Sequence, residues 1–130
     1  MASRFAPVPT PAPDPVHLLH LLAGACQAAD LAGVESVLAP DVVAVCDGGG
    51  LVAAPDQPVR GAVEVARLLL GLLAGTLLSH STVNGLPGLV ARRTDGTALA
   101  VLVATGSPLE IATLWIVLNP DKLRRWTLYS

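Results

Sequence analysis

The chain is predicted to take an α+β fold, because its helix-period and strand-period segments are segregated along the sequence instead of alternating. Three apolar stretches with helical spacing lie before residue 75, with a single strand pair among them. From residue 79 to 120 the pattern changes to β-rich runs separated by Leu86-Pro87-Gly88, Asp95-Gly96 and Gly106-Ser107-Pro108. These runs read as a meander, since Asp-Gly supplies the positive φ that a tight hairpin requires. The 130 residues suffice for one domain with its own core, and four aromatic residues in a chain that is 52% hydrophobic mean that Leu, Val and Ala build it.

Residues 1–14 carry Pro7, Pro9, Pro11 and Pro13, continued by Pro15, and are expected to form a disordered, polyproline-like leader before a domain spanning 15–130. Asp14 and Pro15 suit an N-cap and first helical position. Leu18, Leu19, Leu22, Ala25, Cys26 and Ala29 then share one helix face, while His17, His20, Gly24 and Gln27 take the other. Asp30 is placed to cap a short second helix with Leu31, Val34, Val37 and Leu38, which Pro40 should end. Residues 42–46 follow as a strand, 47–50 as a glycine turn and 51–54 as its hairpin partner. The triple glycine lacks the lysine and the following helix of a phosphate-binding loop. A third helix is expected over 61–74, with Val63, Ala66, Leu69, Leu70 and Leu73 buried and Gly75 as its left-handed cap. Asn119 before Pro120 reads as the cap of a short helix over 121–125.

Eight Lys and Arg against ten Asp and Glu leave a net charge of −2, without the positive field that nucleic-acid binding needs. No apolar run approaches the roughly 20 residues of a membrane span. LLAGAC at 21–26 faintly resembles a lipoprotein cleavage site, but His17 and His20 interrupt the stretch and five prolines precede it. A cytoplasmic location is therefore expected. Cys26 and Cys46 fall on apolar faces as small buried thiols, and His17 with His20 lacks a third ligand, so neither disulfide, metal nor cofactor is expected.

Four words in order, APDVVAVCDGGG (39–50), PVRGAVEVARLLLGL (58–72), VNGLPGLV (83–90) and NPDKL (119–123), resemble the carboxy-terminal SnoaL-like domain of actinobacterial extracytoplasmic-function sigma factors. The resemblance spans residues 16–125. It implies the cone-shaped nuclear transport factor 2-like fold, a curved, mostly antiparallel sheet covered by about three helices. In such sigma factors the domain regulates the preceding polymerase- and promoter-binding regions, with the turn after the first strand and the NPDKL segment implicated in that control. The chain departs from the family at Leu51, where a lysine usually follows the glycines, and is expected to act as a stand-alone domain.

The resemblance also implies a pocket between sheet and helices, as in relatives that are isomerases, epoxide hydrolases and polyketide cyclases. Such chemistry needs a base or carboxylate in an apolar cavity that shifts its pKa. His80 with Asp47 is the one base and carboxylate combination on the sheet elements. By strand alternation His80, Thr82 and Asn84 share a face, as do Thr113, Trp115, Val117 and Asn119. Thr82, Asn84, Thr113, Trp115, Val117 and Asn119 are the candidate ligand-binding residues, with Trp115 as pocket floor. Few other polar residues fall at mid-strand, so the expected function is a non-catalytic accessory or regulatory domain with an apolar small-molecule pocket. A cyclase, isomerase or epoxide hydrolase using His80 and Asp47, and a pure dimerisation module, remain as alternatives. Apolar residues on both faces of the late strands predict a homodimer, and the family words predict contact with a sigma factor or RNA polymerase.

Overall fold

The computed structural model describes residues 16–49, 55 and 57–127; the leader, the Asp14-Pro15 pair and the expected 51–54 strand lie outside them. In chain order the elements are α1 (Val16–Gln27), α2 (Leu31–Ser36), β1 (Leu38–Asp47), β2 (Val59–Arg60), α3 (Ala62–Leu73), β3 (Leu77–Val83), β4 (Leu86–Arg92), β5 (Ala98–Gly106), β6 (Ile111–Val117) and α4 (Pro120–Leu123), closed by a 3₁₀ turn at Arg124–Trp126. Six strands form one sheet in the order β2-β1-β6-β5-β4-β3, antiparallel except where β1 runs parallel to β6. This is the segregated α+β architecture that the periodicity predicts.

Helices α1, α2 and α3 cover one face. Leu18, Leu19 and Leu22 of α1 and Val65, Ala66, Leu69 and Leu73 of α3 pack on Val42, Ala44, Leu89, Ala100, Leu102, Leu114 and Ile116 of the strands. Small residues alternate with Leu and Ile across the strands, so helices approach closely without aromatic bulk. The buried stripe of α3 is centred on Val65 rather than Val63, which is 43% exposed because the helix begins one residue after Gly61 and turns Val63 outward. On the opposite, outer face a smaller cluster of Val83, Val90, Ala98 and Val101 is covered by Leu123 and Trp126, so the chain's last described residues fold back across the sheet.

Three local expectations are corrected. Asp30 does cap α2, its carboxylate accepting from Gly33 N at 3.1 Å, but the helix stops at Ser36. Leu38 already pairs with Ile111, and Pro40 lies inside β1 at a break in register, where its missing N–H disrupts no regular ladder. The hairpin turn at 86–88 is displaced to Asn84-Gly85, whose φ values of +50° and +81° fit a two-residue turn that matches strand twist. Leu86, Pro87 and Gly88 are thereby drawn into β4. Pro87 is tolerated because its pair with Thr82 is the second from the turn, which places its nitrogen away from β3, and β5 pairing starts only at Gly88.

Candidate functional site

Sheet register decides which candidate side chains can cooperate. His80 pairs with Leu89, which lies on the helix-covered face, and Trp115 pairs with Val103 and Val45 on the outer face. Thr113 and Val117 follow Trp115 onto the outer face by alternation, and so does Asp47 opposite Val117. His80 and Asp47 therefore occupy opposite faces and do not form a base and carboxylate pair. The candidate pocket divides likewise: Thr82 follows His80, Asn84 in the β3–β4 turn joins Val117 at a groove on the outer side, and Asn119 leaves the sheet to cap α4 by accepting from Asp121 N at 3.1 Å.

On the helix side His80 meets His20 of α1, their ring centroids 3.8 Å apart and their planes 36° tilted. The two line a shallow groove of about 310 Å³ at the sheet edge with Val16, Ser81 and Thr82. Desolvation, and then the neighbouring His20, hold the His80 pKa below its ordinary value of 6.5. Helical spacing placed His20 correctly on the exposed side of α1, but a contact sixty residues away leaves no local signal. Both cysteines are free and half-buried; burial pushes the Cys26 thiol up to about 11 and raises Cys46 as well, so neither is poised as a nucleophile.

The other polar constellation joins two distant segments. Asp47, at the end of β1, accepts from Lys122 Nζ of α4 at 2.6 Å through one carboxylate oxygen and from Gly49 N at 3.0 Å through the other. Its backbone carbonyl accepts from Leu118 N at 2.7 Å. The Lys122 hydrogen bond above all holds its carboxyl below the usual range. Gly49 has φ +63° and sits against Asn119, whose side-chain amide a Cβ at this position would strike. The glycine turn and the Asn119–Leu123 segment are thus one surface, built around an exposed ion pair. Among the described residues no group of three His, Cys, Asp or Glu side chains is placed to hold a metal, and no helix is long and apolar enough to cross a membrane.

Next to this surface, between the 3₁₀ turn and the outer face, a groove of about 430 Å³ is lined by Val83, Asn84, Val101 and Val117 below and by Lys122, Arg125 and Trp126 above, with the Asp121–Arg124 ion pair at its rim. Trp126 and Arg125 did not figure among the sequence-derived candidates, since nothing in a terminal cationic run indicates that it folds back over strands.

No protein-family model matches the chain. The Mycobacterium tuberculosis extracytoplasmic-function RNA polymerase sigma factor SigJ is 32% identical over 129 residues, covering 85% of this chain and 40% of that protein. Its crystal structure superposes with a TM-score of 0.61 at 29% identity, over 85% of this chain and 45% of SigJ. The chain therefore spans less than half the length of this relative. An NTF2-like protein of Burkholderia xenovorans matches with a TM-score of 0.55 at 17% identity, over 87% of this chain and 95% of the other. The chain has the nuclear transport factor 2-like fold. It is similar to the carboxy-terminal domain of SigJ, the resemblance that the four sequence words implied. A candidate polyketide cyclase of Sinorhizobium meliloti shares the fold at 16% identity with a TM-score of 0.53, over 77% of this chain and 93% of the other.

Proposed function

We propose that this SnoaL-like domain is a non-catalytic regulatory or accessory unit that acts through contact with a sigma factor or RNA polymerase. The observation that carries this reading is the Asp47–Lys122 ion pair, which ties the glycine turn to the NPDKL segment across 75 residues of sequence. These are two of the four words shared with the sigma-factor domains, and their union presents one exposed surface. Exposed ion pairs add little to folding, so a short, doubly anchored one is better placed to shape a contact surface than to hold the domain together. The separation of His80 from Asp47, with Asp47 already engaged by a lysine, supports the non-catalytic reading. On the same view the open half of the outer face, where Trp115 and Val45 are exposed, is where two copies associate.

In vitro transcription by the host polymerase with an extracytoplasmic-function sigma factor, titrated with the purified protein, tests the proposal. Promoter-dependent output should change with wild type and be unaffected by Asp47→Lys. Equal responses to both, or none to either, overturn it.

A further inference from the structure

We propose that the groove beneath the 3₁₀ turn, on the outer face of the sheet, is a binding site for a small amphipathic organic anion, in which Arg125 takes the carboxylate and the strands take the apolar body. This site does not depend on the partner contact proposed above. It also lies on the opposite side of the sheet from the helix-covered face, where the family resemblance places a pocket.

Charge in the groove is unevenly spent. Lys122 is matched by Asp47 at 2.6 Å, and Arg124 is matched by Asp121 at 2.8 Å. Arg125 has no carboxylate partner among the described residues; its guanidinium lies 5.2 Å from the centre of the Trp126 ring. Arg92 stands behind the same residue, donating to the Trp126 carbonyl at 2.7 Å and to Ser79 Oγ at 2.8 Å, again with no carboxylate partner among the described residues. Two guanidinium groups thus flank one tryptophan without a compensating carboxylate among the described residues, in a chain whose net charge is −2. A local positive excess against the overall sign is an electrostatic lure for an anion, and stacking on the indole holds the Arg125 fork in a limited set of orientations.

The floor determines the rest of the ligand. Val101 is buried and Val117 half-buried, and both are aliphatic, with no charged group rising from the strands between them. Water over such a floor is readily displaced by an apolar body, and about 430 Å³ lies within the range of small-molecule sites. A fully polar anion such as inorganic phosphate would leave that floor wet, and a neutral apolar molecule would leave Arg125 unmatched. The chemistry that satisfies both is a monocarboxylate with an aliphatic or flat apolar body. A second copy of the chain would bring no free anionic group of matching kind to this position, because its own outer-face carboxylate, Asp47, is engaged by Lys122 and the neighbouring Val45 and Trp115 are uncharged.

The test is calorimetric titration of the purified chain with decanoate and with decanol at equal ionic strength, on wild type and on Arg125→Gln. Arg125 is exposed and makes no hydrogen bond with a described residue, so the variant should melt with the wild type. Arg67→Gln, an exposed arginine on α3, serves as the control. Decanoate should bind wild type and Arg67→Gln alike and raise their melting temperature. It should bind Arg125→Gln about tenfold more weakly, as loss of a charge-assisted bidentate contact implies, while decanol binds weakly and is insensitive to the substitution. No decanoate binding, equal affinity for decanol and decanoate in wild type, or equal decanoate affinity for wild type and Arg125→Gln would each overturn the proposal.

Discussion

Asp47 is held by contacts that act on different things. Its bond to Gly49 N shapes the turn, and its bond to Lys122 fastens that turn to α4. Because the pair is exposed, Asp47→Asn should leave the thermal midpoint nearly unchanged in a melting experiment, although the same change at a buried pair would be severe. His80 gives a pH signature instead. Its folded pKa lies below 6.5, so as pH falls the unfolded chain takes up the proton first. The stability present above pH 6.5 is therefore lost from about pH 6.5 downward, until the folded pKa is also passed. The titratable group facing His80 is His20 of α1, and β4 places the uncharged Leu89 directly opposite, with Pro87 and Gly88 beside it. In urea titrations wild type should lose more of its midpoint between pH 7.5 and 5 than His80→Gln does. The sequence identified His80, Asp47 and Trp115 as residues with chemistry, and alternation placed each relative to its own strand neighbours. It could not say which face of one strand matches which face of another, since that depends on register set by the whole sheet. Hence His80 and Asp47 could be paired on paper yet lie on opposite sides.

At the scale of elements, local chemistry was legible where one residue type has one use. Asp30 and Asn119 each start a helix as their side chains require, whereas α3 already ends at Leu73 with Ala74 extended, and Gly75 at φ +74° forms the turn that follows. Proline was misleading for the opposite reason. Pro40 and Pro87 read as breaks, but each sits in a strand where the ladder makes no demand on its nitrogen, a condition visible only once neighbouring strands are placed. The Asn84-Gly85 turn carries its own prediction: Gly85→Ala at φ +81° should cost on the order of 1 kcal/mol in chemical denaturation, because no contact crowds the site and only backbone strain remains. Gly88→Ala should cost more, about 1–3 kcal/mol, since a Cβ there would lie 2.6 Å from the Leu102 carbonyl oxygen and 2.9 Å from Val83 Cγ2. Similar losses from both substitutions would show that the tight β4–β5 approach is softer than described.

For the molecule as a whole, the fold was legible because composition, periodicity and the four family words agree on it, and agreement across levels is what specifies a structure. The proposed function was less legible, because it rests on how the chain's last described residues return to the end of β1 and to the outer face. In the proposed dimer the open half of that face is the interface: Trp115 is 43% and Val45 37% exposed side by side. Light scattering should find a dimer, and Trp115→Glu should convert it to a monomer with the fold intact. A stable monomer of wild type at high concentration would contradict this. The central claim, that the Asp47–Lys122 junction forms a partner-binding surface, is tested most directly by the affinity of the purified chain for a sigma factor–RNA polymerase complex, compared among wild type, Asp47→Lys, Lys122→Asp and the two combined. Each single change places like charges together and should weaken binding by about tenfold or more, while the combined swap restores the ion pair and recovers much of the loss. Equal binding by all four chains, or no binding by any, would contradict the account.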